Sequence, residues 1–299
     1  MWSFTSLGAG HPVSPKDFEP GIDEANQALR HALDLFINDI RLNAGVAVVE
    51  NVEIGLTVPF RVIVSEASFY DVDDQLLPSF ASIHHRNETL TGPGDMQLVA
   101  RFRLTEADSP LIVDVRAGTS LPIGGTGPNP FALGRDGKSH QHIFFGTGTF
   151  DPLVGATAIV PAGPVVFDVD LSAHGALYAN EHTYRGPGLF TGRVGAMAST
   201  GPWSARLAAE LFHEKPAKWA GETAENSGRT DLVAAVDLHF EANDAWSAHL
   251  AFKRPFTLAV DGGQVEIPFV ASFGVTYRGR LWGAEPVAGA TAPESPRPR

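Results

Sequence analysis

The feature that most constrains this chain is an alternation of apolar and polar residues with a period of two. In 96–104, 203–211, 232–240 and 246–252, every second residue is apolar, and the charged residues stand between them. Because successive side chains of a β-strand point to opposite faces, each segment predicts a strand with one apolar and one polar face. The one helical candidate, residues 23–36, is too short to define the architecture.

The connections between these strands alternate between short and long. Tight links fall at 50–51, 106–110, 161–164, 200–202 and 241–245. Long polar stretches fall at 67–94, 122–151, 179–187, 215–229 and 257–264. This alternation predicts a sheet with tight turns at one end and long loops at the other. The strands run to about 11–15 residues, longer than is usual in soluble sheets and long enough for a tilted membrane-crossing strand.

A soluble barrel or sandwich would show a similar alternation with its apolar face inward. That arrangement would leave long rows of Arg, Asp, Glu and His facing solvent. Trp203, Trp246 and Trp282 lie within the apolar set near strand ends, as an interfacial aromatic girdle requires. We therefore predict an all-β fold, an antiparallel transmembrane β-barrel with short periplasmic turns and long external loops.

The direction of the strands fixes their number. Eleven are placed at 39–49, 52–66, 95–105, 110–121, 152–161, 164–178, 188–200, 202–214, 230–241, 244–256 and 265–280. The first and the last of these run the same way, so an antiparallel barrel cannot close without a twelfth strand. Residues 2–7 are its candidate, as a short or truncated strand followed by an external excursion over 9–38. The barrel then spans 1–282, and 283–299 is predicted to be a disordered tail.

Four short motifs carry a resemblance to a known family. They are NVEIGLTVPF at 51–60, GPGD at 92–95, LPIG at 121–124 and GTGTFDP at 146–152. In this order, within 39–162, they resemble Gram-negative outer-membrane barrels known as putative transporters of the meta-cleavage pathway of phenol degradation. The resemblance implies an outer-membrane location and uptake or export of small, often hydrophobic molecules. Two departures are the lack of a visible signal peptide and a last strand that does not end the chain on an aromatic residue.

The composition of the chain excludes some classes of binding partner. The net charge of −12 argues against nucleic acid, whose phosphates need a basic surface. The absence of Cys excludes thiol catalysis and thiolate metal sites. We expect no cofactor, and the predicted partners are the lipid bilayer and a small-molecule solute. No residue pattern specifies an oligomeric state.

The polar face of the strands is the predicted lumen and solute path. Its members are Arg41, Glu53, Arg61, Arg101, Arg103, Asp114, Arg116, Asp168, Asp170, His174, Arg193, Arg206, Glu210, Asp237, His239, Glu241, His249 and Lys253. Arginines prevail in the first half of the chain, and acids with histidines in the second. These charges either interlock as a salt-bridged plug or set a transverse field across a pore. Twelve strands predict a narrow passage, constricted by an infolded loop.

Three local patterns suggest chemistry. His140 and His142 could bind one metal if His84 or His85 joined them, but we expect no metal, because external loops contain histidines by chance. The Gly-Thr-Gly-Thr run at 146–149 lacks the Lys and the following helix of a phosphate loop, so we interpret it as the hinge by which a loop re-enters the wall. The Ser172–His174 and Ser247–His249 pairs lie on the polar face, away from lipid, so no catalytic residue is predicted.

The predicted function is therefore a passive channel or transporter in the bacterial outer membrane, and not an enzyme. Small solutes, hydrophobic or aromatic ones among them, would pass along a charged lumen. One alternative is a non-conducting structural or adhesion barrel whose external loops bind partners. The other is a lipid-modifying barrel enzyme.

Overall fold

The computed structural model describes residues 1–12, 30–71, 73–77, 85–106, 108–260 and 266–279, most of them in antiparallel strands. In chain order the elements are β1 (Trp2–Pro12), β2 (Arg30–Val49), β3 (Val52–Tyr70), β4 (Glu88–Pro93), β5 (Met96–Arg103), β6 (Ile112–Leu121), α1 (Pro130–Arg135), β7 (Pro152–Ala162), β8 (Val165–His174), β9 (Tyr184–Arg185), β10 (Leu189–Thr200), β11 (Trp203–Glu214), β12 (Lys218–Trp219), β13 (Glu222–Thr223), β14 (Arg229–Glu241), β15 (Trp246–Val260) and β16 (Glu266–Tyr277). Within these described ranges, no helix is long and apolar enough to cross a membrane.

The wall closes because β1 pairs with β16 on one edge and with β2 on the other. The strands β4 and β5 are two parts of one wall strand, since both pair with β3 and are separated only by Gly94 and Asp95. Counted this way, the described part of the chain forms twelve antiparallel wall strands, while β9, β12 and β13 form a separate small sheet. The predicted all-β, twelve-stranded fold is confirmed.

The N-terminal region differs from the prediction. The first strand is not short, because β1 runs to Pro12 and pairs along its whole length with β2, which begins at Arg30 rather than at residue 39. The helical prediction for 23–36 is wrong for 30–36, which lie in β2, and 23–29 fall outside the described residues. Hydrogen bonding to β1 and β3 on both edges overrides the local helical pattern. The predicted tail at 283–299 and Trp282 also lie outside the described residues.

The outer face of the wall is apolar and exposed. Leu42 is 70% exposed, Leu207 66% and Val154 56%, levels that a soluble protein avoids over so large a surface. Trp203 packs on Phe240 and Trp246 on Tyr277, with ring centroids 4.6 and 4.9 Å apart. Both pairs lie at the short-turn end, where an aromatic girdle is expected.

The height of this apolar surface matches a bilayer. From Trp246 to Phe256 along β15 the outer face spans about 33 Å of strand at the usual rise per residue. With the tilt of such barrels this becomes about 25 Å, the height of the apolar band of outer-membrane barrels. The outer wall is thus built to contact lipid.

Candidate functional site

The structure places all the residues predicted to line the lumen on one face, opposite the exposed apolar residues. Strand register links them directly, as in the facing pairs Glu53↔Arg101, Arg103↔Asp114, Asp170↔Arg193 and Arg193↔Glu210. Asp114 on this face is only 3% exposed, although it lies in a strand whose other face is open. This charged inner wall is the candidate functional site.

On β2 to β6 two acids of the inner wall, Asp114 and Asp39, each pair with two arginines. Asp114 accepts hydrogen bonds from Arg101 Nε at 3.2 Å and Arg103 Nε at 3.0 Å. Arg101 also reaches Glu53 at 3.4 Å. Asp39 pairs in the same way with Arg41 at 2.9 Å and Arg61 at 3.5 Å. In this part of the barrel, each of these ion pairs joins residues of one strand or of two adjacent strands.

Elsewhere an arginine crosses over an intervening strand. Arg116 on β6 reaches Asp170 on β8 with bonds of 2.7 and 2.9 Å, and Thr157 on β7 also donates to this carboxylate at 2.6 Å. The guanidinium passes over Gly155, where an added Cβ would lie 2.7 Å from it. Only a residue without a side chain lets the arginine lie flat there.

The same arrangement recurs on the other flank of β8, across β10. Arg206 on β11 pairs with Asp168 on β8 through an Nε–Oδ2 bond of 2.8 Å, and a Cβ on the intervening Gly195 would lie 2.7 Å from Arg206. Lys253 on β15 crosses β14 to reach Glu210 at 2.8 Å.

The ion pairs show which of the charges on the inner wall are partners. Each pair formed by the described inner-wall residues joins positions on one strand or on strands at most two apart. The arginines of the first half therefore find acids beside them and do not interlock with the acids of the opposite wall. Among the described residues, the paired charges follow the circumference of the wall.

The loop between β6 and β7 is fixed at both of its ends by Asp95. Its carboxylate accepts the backbone N–H of Gly124 at 2.9 Å and that of Thr147 at 2.7 Å. The N–H of Thr147 belongs to the Gly-Thr-Gly-Thr run, and a phosphate bound there would need such backbone N–H groups as donors. This N–H already donates to Asp95. The hinge interpretation of this run therefore agrees with the geometry.

A buried polar network continues the hinge into the wall. Asp151 is 1% exposed and Thr149 is fully buried. The Asp151 carboxylate accepts hydrogen bonds from the hydroxyls of Thr147, at 2.9 Å, and Thr149. Its backbone N–H donates to Ser120 Oγ at 2.9 Å. Because each buried acceptor has a donor, the network holds the loop base rigidly.

The same loop then crosses the mouth of the barrel. Ile143 and Phe145 pack against Leu35 and Ile63, which lie on the inner faces of β2 and β3. These strands stand two to three positions around the wall from β6, where the loop begins. The loop therefore packs against the inner faces of β2 and β3, and its constriction of the passage stays a prediction.

On its other side the loop packs against the small sheet. Phe131 and Phe144 contact a cluster centred on Trp219, which is 7% exposed. Trp219 also contacts Tyr184, with ring centroids 4.7 Å apart and the rings tilted by 43°. The loop therefore joins the inner faces of β2 and β3 to the small sheet formed by the excursions after β8 and β11.

Tyr184 offers a readout of this cluster. Burial, followed by the nearby carboxylates of Glu214 and Asp151, raises the pKa of Tyr184 to about 12. The unfolded chain, with a tyrosine pKa of about 10, loses its proton first, so stability falls as pH rises from about 10 to about 12. We expect phenolate absorbance to show one late-titrating tyrosine that disappears in Tyr184→Phe. Tyr277→Phe, on the exposed outer wall, should leave the late step in place.

The remaining sequence candidates are also placed. Ser172 and His174, and likewise Ser247 and His249, lie on the inner wall by register, away from lipid. Ser172 Oγ bonds to the Thr191 hydroxyl at 2.6 Å. Among the described residues, no group of three or more metal-ligating side chains is arranged around one point. His140 and His142 do meet, while His84 lies outside the described residues.

Sequence reasoning missed Asp95, Asp151, Thr147 and the glycines beneath the arginines. The motifs that contain Asp95 and Asp151 were recognised, but their carboxylates were assigned no partner. The signal that could have found the glycines is their place on the polar face, as at Gly155 and Gly195, where the pattern calls for a polar side chain.

No protein-family model matches the chain, and no curated protein matches it by sequence. Among solved structures the chain is similar to an outer membrane channel from Pseudomonas putida F1, at 13% identity and a TM-score of 0.52, covering 92% of this chain and 94% of that one. It is also similar to a Pseudomonas aeruginosa FadL homologue, at 12% identity and a TM-score of 0.43, covering 92% and 88%. The first likeness supports the barrel fold. Together with the lipid-facing wall, this fold places the protein in the bacterial outer membrane, as predicted.

Proposed function

We propose that the protein is a passive channel for small solutes, with the charged inner wall as the solute path. The observation that carries the proposal is the placement of the ion pairs along the wall. The arginines that lie flat over Gly155 and Gly195 keep their charges against the wall, and in this proposal the solute passes beside them along the axis. A plug would instead need bridges between opposite walls.

The solute class is drawn from the resemblance of the motifs within 39–162 to the putative transporters of phenol degradation, which implies small, often hydrophobic molecules. We propose small aromatic solutes as the preferred cargo.

The test is conductance of the purified, refolded protein in a planar lipid bilayer. We expect discrete open-channel steps, and, after entry into protein-free liposomes is subtracted, a faster protein-dependent entry of phenol than of a sugar. A bilayer that stays sealed with correctly folded barrel present would refute the channel and favour the structural or adhesion barrel. Conductance with equal rates for phenol and sugar would refute only the solute preference.

A further inference from the structure

The loop over the mouth brings two histidines together. His140 Nε2 lies 3.1 Å from His142 Nε2, and the ring centroids are 4.9 Å apart. Two imidazole nitrogens bound to one tetrahedral ion would be about 3.3 Å apart, given metal–nitrogen bonds of about 2.0 Å. The pair therefore has the spacing of two ligands of one metal ion.

The tautomer of His140 suits a ligand. Its Nδ1 lies 2.8 Å from the Lys138 carbonyl oxygen, so Nδ1 carries the proton and donates it. Nε2 then has its lone pair directed at His142. A backbone carbonyl that holds the far ring nitrogen in this way is the usual outer support of a metal-binding histidine. On binding a metal, His142 would take the tautomer with its proton on Nδ1.

The backbone that bears the two rings is also fixed. The Gln141 amide oxygen accepts the N–H of His142 at 2.8 Å, and its amide nitrogen donates to Glu88 on β4 at 2.6 Å. Arg86 bonds to Ser139 Oγ at 2.7 Å and pairs with Glu88 at 3.5 Å, which ties this segment to β4.

The ring of His142 is exposed but has two aromatic neighbours. His85 stacks on it with centroids 6.4 Å apart, and Phe131 meets its edge at 5.3 Å. These contacts orient the His142 ring, and the Lys138 carbonyl orients the His140 ring, which lowers the entropic cost of binding an ion.

We propose that His140 and His142 bind one late first-row divalent cation, such as Zn²⁺, Ni²⁺ or Cu²⁺, at the mouth of the barrel. Imidazole is a preferred ligand for these ions. No set of three ligating side chains exists among the described residues, so water or an anionic solute completes the coordination. The site requires only the folded loop and does not depend on conduction.

The test is calorimetric titration of the untagged, detergent-solubilised protein with Zn²⁺ and Ni²⁺. We expect one ion per chain at micromolar affinity, and a loss of about tenfold or more in H140N/H142N. The control H182N/H213N removes two histidines elsewhere and should bind as the wild type does. Because the barrel of each variant can be checked by heat-modifiable migration in gels, a folding failure is recognised.

A second measurement does not depend on variants. Electron paramagnetic resonance of the wild-type protein with one equivalent of Cu²⁺ should show coupling to two imidazole nitrogens. Absence of that coupling, or equal affinity in wild type and H140N/H142N, overturns the site. A loss of binding in the H182N/H213N control as large as in H140N/H142N does so too. The bilayer experiment tests the channel and the metal titration tests the histidine site, so either proposal can be refuted without the other.

Discussion

Excision of residues 126–144 is expected to raise the single-channel conductance severalfold. This segment carries α1 and the residues that pack on Trp219, so its removal takes away most of the cover over the mouth. The barrel should still fold, because the hinge at Asp95 grips Gly124 and Thr147, which both remain. The measurement is conductance in planar bilayers at fixed salt.

The structure shows where to join the cut ends. The carbonyl oxygen of Gly125 accepts hydrogen bonds from the N–H groups of Phe145 and Gly146, both at 3.1 Å. A linker of two glycines therefore suffices between 125 and 145. D136A/K138A removes an exposed ion pair of the same loop, with side chains 60% and 63% exposed, and should leave conductance unchanged. An excised barrel that folds and conducts like the wild type would show that the loop is no barrier.

The strands of the wall could be predicted from the sequence because the alternation of apolar and polar residues is visible within each strand. In β11 and β14 the lipid on one side and the paired charges on the other impose a strict period of two, and the turns at Gly163 and Gly201 adopt the positive φ that glycine favours. The need for antiparallel closure then required a strand at the N-terminus. For the wall strands, the alternation within each strand and the closure of the whole barrel lead to the same prediction.

The loop cover and the paths of the ion pairs could not be predicted, because they depend on contacts distant in sequence. Asp95 and Thr147 are 52 positions apart in the sequence, and Arg116 and Asp170 are 54 apart. Neither partner has a local signature, since an acid on a polar face looks the same with or without an arginine near it. The helical prediction for 30–36 was wrong for the same reason, because the strand that these residues form is stabilised by its pairing with β1 and β3.

Neutralising two wall acids should turn the selectivity of the channel toward anions. Asp114 holds Arg101 and Arg103, and Asp170 holds Arg116. In D114N/D170N the shapes are kept while two negative charges leave the wall. Arg103 and Arg116 lose their ionised partners, and Arg101 keeps only Glu53. We expect the anion-to-cation permeability ratio to rise severalfold, measured as a reversal potential in a KCl gradient.

The control must change the net charge equally without touching the inner wall. D73N/D74N does so on the exposed loop after β3, and Asn accepts the positive φ of 60° at Asp74. Because exposed charges are screened by salt, this variant should leave the reversal potential nearly unchanged at moderate ionic strength. An equal shift in both variants would mean that net charge acts at the mouth, and the inner wall would lose its role as the selective surface. A shift confined to D114N/D170N would identify the paired arginines as the groups that permeating ions meet.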